Sequence, residues 1–197
     1  MSEESARDAA WVSIETPFPP QRLQEFLGDP ERLYRINSLL EIRRWEEEGP
    51  GRIRLEALNL SNGKTLETEL RLERSDDGLE VGYSGLLKTS TRFRIEPRAS
   101  EGSLLTISDD YSGTPEAERQ ARLDEVDRSL MQWGRDLHAY LRAWKRWSWL
   151  PPWRWYMTRV WQGMKPSARR ITRWILWITA AELVAFLLVF TIFVIEQ

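Results

Sequence analysis

Between residues 39 and 112 apolar and polar side chains alternate with a period of two, interrupted at regular intervals by Gly, Pro, Asn and Asp. From 114 to 147 the apolar residues instead recur every three or four positions. The first pattern predicts strands with one covered face and one wet face, and the second an amphipathic helix. Six strands fit the first region, over 39–48, 52–60, 64–74, 79–85, 87–96 and 103–112. In 64–74, Leu66, Thr68, Leu70 and Leu72 share a face and charged residues take the other. In 87–96, Thr89, Thr91, Phe93 and Ile95 oppose Lys88, Ser90, Arg92 and Arg94. Asn62-Gly63 predicts a type I′ hairpin turn, which needs positive φ at both central residues.

Ahead of this region, 11–16 alternates and predicts a first strand, ended by Pro17-Phe18-Pro19-Pro20. Two short helices follow, at 21–27 and 32–37, the second opened by Asp29 as N-cap and Pro30 in its first turn. The long helix starts at Thr114-Pro115-Glu116 and carries the stripe Leu123, Val126, Leu130, Trp133, Leu137, Tyr140, Trp144 and Trp147. That spacing also suits a coiled coil. The sheet needs a cover, however, and the sequence offers no other long amphipathic helix, so packing on the sheet is expected. Together these elements compose one α+β domain over 9–147, after a short tail at 1–8.

Pro151-Pro152 then interrupts the helical pattern. Within 153–164, Trp153, Tyr156, Met157, Val160, Trp161 and Met164 fall on one face and Arg154, Thr158, Arg159 and Gln162 on the other. Aromatic and basic faces of this kind suit a helix lying in a bilayer interface. After Pro166-Ser167, residues 174–195 are apolar except for two Thr and Glu182. As a helix that run spans roughly 33 Å, enough for a hydrocarbon core of about 30 Å. Being apolar all round, it predicts a transmembrane helix, with 148–173 as a Trp/Arg-rich interfacial segment.

Charge sharpens this division. The formal net charge is −2, yet residues 1–140 hold 19 basic and 28 acidic side chains, while 141–173 hold nine cations and no acid. Eight of the eleven tryptophans lie in 144–197. Trp and Tyr prefer the membrane interface, and clustered cations attract anionic headgroups. Trp153, Arg154, Trp155, Tyr156, Arg159 and Trp161 are therefore read as membrane-interface residues, with the lipid bilayer as partner. Lys165, Arg169, Arg170 and Arg173 join them just ahead of the span. Cations precede the span and none follows it, so the N-terminal domain is expected on the cytoplasmic side. The competing reading of the aromatic cluster is a patch for a protein partner, either soluble or in the membrane.

Residues 1–8 are acid-rich where a signal peptide carries cations. An acidic folded domain is not a nucleic-acid surface. Zero Cys and one His exclude disulfides, thiolate metal sites and multi-histidine metal clusters, and no cofactor fingerprint is present. Glu182 stands inside the apolar run, where a charged acid costs about 3 kcal/mol, so it is expected neutral or paired. It is read as a contact to another subunit's helix, a proton or quinone site, or a tolerated neutral acid.

One strand, two short helices, six antiparallel strands and a long helix is the helix-grip order. Through residues 12–33, the strand series and the 123–147 helix, the chain resembles the START-like superfamily, also called SRPBCC or polyketide cyclase/dehydrase-like proteins. The resemblance implies an apolar cavity between curved sheet and long helix. Most members bind lipids or other hydrophobic small molecules there, and a minority catalyse cyclisation or dehydration. In this chain the cavity would be lined by Tyr83, Thr89, Thr91 and Phe93, by Ile107, Asp109 and Tyr111, and by Leu130, Trp133 and Leu137. His138 would stand at the margin. Asp109 shares a strand face with Leu105, Ile107 and Tyr111. It is either a desolvated carboxyl able to act as acid or base, or a solvated residue at the strand's end. With no dense polar constellation, no residue is assigned a catalytic role. The expected function is binding of a lipid or quinone-type ligand at a membrane. Recruitment of a soluble protein comes second and a cyclase-type reaction third.

Overall fold

In the computed structural model of the chain, residues 9–98, 101–115, 117–118 and 129–195 are described. The chain divides into two compact units, one ending at Gln162 and one starting at Gly163. The first contains strands β1 (Ala9–Thr16), β2 (Leu40–Gly49), β3 (Arg52–Asn59), β4 (Lys64–Ser75), β5 (Gly78–Tyr83), β6 (Ser90–Pro97) and β7 (Ser103–Asp110). Helices α1 (Pro20–Leu27) and α2 (Pro30–Ile36) join β1 to β2, and α3 (Leu130–Trp147) follows the sheet. The seven strands form one antiparallel sheet in the order β1-β7-β6-β5-β4-β3-β2. This is the α+β, helix-grip arrangement expected from the pattern.

Alternation builds the core. Leu55, Leu70, Val81, Phe93, Leu105 and Ile107 point inward and are all but closed to water. Onto this surface α3 lays Leu130, Trp133, Leu137, Tyr140 and Leu141, while α1 and α2 add Leu23, Phe26, Leu33 and Ile36. Each such side chain contributes about 1.5–3 kcal/mol when fully buried. Gly134 sets how near α3 comes to the sheet: a Cβ there would lie 3.0 Å from both γ-carbons of Val12 on β1.

Three local expectations are corrected. Only Gly63 takes positive φ (74°) in the β3–β4 connection, and no non-glycine residue does, so the turn is not type I′. The link is the four residues 60–63, closed by the Gly63 amide donating to the Asn59 carbonyl at 2.8 Å. The sixth strand begins at Ser90 rather than at residue 87, which frees Lys88 from the alternation. Finally, Pro151 and Pro152 do not precede the next helix but form its first turn, where their missing N–H groups cost nothing. Of the start of the long helical pattern, Leu123 and Val126 lie outside the described residues, while Thr114 is described and its hydroxyl donates to the Leu87 carbonyl at 3.0 Å.

That next helix, α4 (Pro151–Trp155), continues as a π-helical stretch over Tyr156–Trp161. Its aromatic face packs on the domain. Met157 is buried in the core, and Trp153, Tyr156 and Trp161 rest against it. The Trp161 ring lies 5.5 Å from Tyr140, and Trp153 lies 5.5 Å from Trp144. The domain's compact unit therefore extends beyond 147, to Gln162. In the second unit, α5 (Pro166–Ile195) is one helix of 30 residues. Its most apolar stretch has a mean hydropathy of 2.6, and none of that stretch is buried. It is long and apolar enough to cross a membrane.

Candidate ligand-binding site

A cavity of about 100 Å³ lies between the sheet, α2 and α3. Leu40, Leu55, Leu66, Leu86, Leu87 and Trp133 make most of its wall. Tyr34, Asn37, Asn59, Asn62, Lys64, Tyr83, Lys88 and Tyr111 supply the polar part. A mainly apolar pocket with a few polar groups is the usual form of a small-molecule site.

The loop after β5 brings Lys88 inward. Gly85 takes φ 76°, a left-handed conformation that glycine adopts without strain. The Tyr83 amide then donates to the Thr89 carbonyl at 2.9 Å, and the Thr89 amide to the Asp110 carbonyl at 2.8 Å. These bonds fold the loop back onto the end of β7. The Lys88 ammonium reaches Asp109, 3.3 Å from each carboxylate oxygen. Both side chains are buried, Asp109 to 1% exposure.

Around this ion pair the hydroxyls are ordered by one chemical fact: a carboxylate only accepts. Thr91 sits directly opposite Asp109 in the β6–β7 register and donates to its Oδ1 at 2.5 Å. Thr91 having spent its proton there, Tyr83 is the donor to Thr91 Oγ1 across 2.9 Å. Tyr34 in turn shares a short hydrogen bond with the Tyr83 hydroxyl. Polar order thus runs from the cavity wall at Tyr34, through Tyr83 and Thr91, to the Asp109–Lys88 pair. Burial pushes the Tyr83 hydroxyl above its ordinary pKa, while the neighbouring Lys88 ammonium pulls the other way. The Lys88 ammonium also stands 4.9 Å from the Tyr83 ring centroid, a cation–π contact.

Of the residues expected to line a cavity, Tyr83, Tyr111 and Trp133 do so. Thr91 and Asp109 stand behind the wall as the support of Tyr83 and Lys88. Asp109 is neither a free base nor a solvated strand end. Phe93, Ile107, Leu130 and Leu137 are packed core and do not face the cavity. Thr89 is exposed and accepts from the Gly113 amide. His138 is also away from the site: its Nδ1 lies 2.8 Å from the Glu15 carbonyl, and since a carbonyl only accepts, Nδ1 carries the proton. Lys88 was missed because strict alternation assigned it to the wet face. The signal was the inward position of Asp109, a buried acid that needs a cation.

Of the expected interfacial residues, Trp153, Tyr156 and Trp161 are taken up by the domain core. Arg154, Trp155 and Arg159 are exposed. Lys165 directly precedes α5, and Arg169, Arg170 and Arg173 occupy its first two turns. Glu182 is on the exposed surface of α5 with no ion-pair partner among the described residues. Among those residues no group of three or more His, Cys, Asp or Glu is placed to hold a metal ion.

The sequence matches no protein-family model and no curated protein. Solved structures do resemble the fold. An aromatase/cyclase, Zhui, from Streptomyces sp. R1128 superposes with a TM-score of 0.52 at 16% identity, covering 71% of this chain and 96% of that one. A protein from Arthrobacter aurescens gives 0.51 at 13% identity, over 72% and 90% of the two chains. A START superfamily protein from Mycobacterium smegmatis gives 0.50 at 15% identity, over 68% and 97%. At these identities the likeness is one of fold, and it agrees with the strand order and gripping helix: the domain has a START/SRPBCC-like, helix-grip fold.

Proposed function

We propose that the domain binds a ring-sized hydrophobic molecule with a neutral polar headgroup, of quinone type, and that α5 holds this site at a membrane. The observation that carries the reading is the apolar cavity walled on one side by Tyr34, Tyr83 and Lys88. Its volume favours a small ligand over a long one. An enclosed apolar cavity of about 150 Å³ takes up benzene; at about 100 Å³ this one favours a single small ring over an acyl chain. At the inner wall Lys88 is already neutralised by Asp109, which favours an uncharged headgroup there, while Lys64 is a second cation of the lining. Such a headgroup would meet the Lys88 ammonium and the tyrosine hydroxyls, and any longer tail would stay outside the wall. The fold's likeness to a START superfamily protein supports ligand binding in this place. The buried acid Asp109 lies behind the cavity wall rather than in it, and this counts against the cyclase-type reaction.

The test uses the full chain purified in detergent. Solvent extraction with mass spectrometry is expected to recover a ring-bearing hydrophobic molecule. A short-tailed benzoquinone should quench tryptophan fluorescence saturably, and Leu66→Trp, which fills the cavity, should weaken that binding at least tenfold. Identical titrations of the two proteins, with no ring-bearing molecule extracted, would overturn the reading.

A second reading, recruitment of a soluble protein, is favoured by Trp11. It is exposed on β1, whose outer edge has no strand neighbour among the described residues. Stoichiometric co-purification of a partner that survives Leu66→Trp and is lost in Trp11→Ala would select it.

A further inference from the structure

The fold splits the Trp/Arg segment into two faces with different surroundings. Trp153, Tyr156, Met157 and Trp161 go inward. Arg154, Trp155, Thr158 and Arg159 go outward and are exposed, Trp155 to 61%. Trp149, in the turn just before this helix, is 72% exposed. Arg146 closes α3 with its guanidinium 5.1 Å from the Trp147 ring.

Neutralisation separates these cations from those of the sheet. Arg54 pairs with Glu48 at 2.5 Å, Arg92 with Glu80 at 2.6 Å and Arg98 with Glu15 at 2.7 Å. Arg146, Arg154 and Arg159 have no acidic partner among the described residues, and the sequence holds no acid from 137 to 181. Large exposed indoles beside uncompensated arginines match a headgroup layer, which takes the ring's apolar body and supplies the counter-charge. Four residues, 162–165, separate the helical segment from α5 in the chain.

We infer that the outward face of residues 146–159, through Trp149, Trp155, Arg154 and Arg159, docks the domain on an anionic lipid surface. The inference rests on the reading of α5 as a membrane span and adds a second, reversible attachment that fixes which side of the domain meets the bilayer. Each cation near an anionic surface is worth about 1 kcal/mol, a roughly fivefold change in the ratio of docked to undocked domain.

The absence of Cys makes a direct test practical. Thr158→Cys, on the outward face, carries an environment-sensitive fluorophore, and Leu187→Cys in α5 serves as a second labelled protein. Full chains are reconstituted in vesicles of phosphatidylcholine, alone or mixed with phosphatidylglycerol. In the mixed vesicles the 158 label should be quenched by lipids brominated near the headgroup and shielded from aqueous iodide. Arg154→Glu with Arg159→Glu should lower the ratio of docked to undocked domain by at least fivefold per residue. If iodide reaches the 158 label equally in both vesicles while the 187 label reports the bilayer centre, docking is overturned and the span stands. Shielding that appears only when soluble protein is added also overturns it, in favour of an acidic protein partner. A 187 label found in water overturns both readings.

Discussion

Helices α3 and α5 are both rich in tryptophan, yet the chain treats them oppositely. In α3, Trp133 is 2% exposed, donates its indole N–H to the Leu33 carbonyl at 3.0 Å and meets Phe93 edge-on at 5.2 Å. In α5, Trp174 and Trp177 remain about 70% exposed. Apolar content alone does not send a helix to a protein core; its distribution around the axis does. Helix α3 has one apolar stripe backed by Gln132, Arg135 and Arg142, so a single sheet face satisfies it. No single protein face could cover α5, and a hydrocarbon layer suits it better.

The sharpest way to break this contrast is to truncate one tryptophan in each helix. Trp133→Ala should cost about 3–5 kcal/mol of domain stability in denaturant unfolding. Trp177→Ala should change it by less than about 0.5 kcal/mol. Comparable losses would mean that α5 is part of the domain core. The acids offer a parallel pair. Asp109→Ala leaves Lys88 buried without its counter-charge and should cost about 3 kcal/mol, whereas Glu182→Gln should leave the domain's unfolding midpoint unmoved. Replacing Asp109 and Lys88 together by Leu and Met should recover most of the loss.

Somewhat smaller is the effect of a charge in α5. Phe186→Arg should oppose insertion by about 2.5 kcal/mol, read as a larger fraction of chain released by alkaline carbonate, with the domain's stability unchanged. The smallest effect depends on pH. Burial raises the Tyr83 and Tyr140 hydroxyls above their usual value near 10. Above about pH 10 the unfolded chain releases protons that the folded domain keeps, so stability should fall with rising pH until the folded hydroxyls ionise. Below about pH 10 both states hold these protons and the two groups add no slope. Tyr140→Phe should flatten the alkaline fall in unfolding midpoint, and α5, which contains no tyrosine, should contribute nothing to it.

The sheet was legible because residues such as Leu66, Thr68, Leu70 and Leu72 obey a period that only a half-covered strand satisfies. The gripping helix was legible from Leu130, Trp133, Leu137 and Tyr140 for the same reason. The site was less so. Lys88 lies on a loop that returns to β7 through backbone hydrogen bonds, which side-chain periodicity does not encode. Met157 and Trp161 show a different limit. Their spacing fixed which residues share a face, but an apolar face has the same pattern whether a bilayer or Tyr140 receives it. Pro151 likewise marked a helix boundary without saying on which side of it the proline belongs.

The place of β1 has a kinetic consequence. Each neighbouring pair from β2 to β7 joins consecutive strands, so those contacts form between nearby parts of the chain. β1 instead pairs with β7, Val12 opposite Ile107, and closing so long a loop costs on the order of 4 kcal/mol of chain entropy. The six-stranded meander needs no contact with β1 to pair, whereas the footing of α3 at Gly134 needs β1 in place. Until β1 is paired the outer edge of β7 presents unpaired backbone groups, so the strand that is costliest to seat is also the one that closes the sheet to strands from other chains.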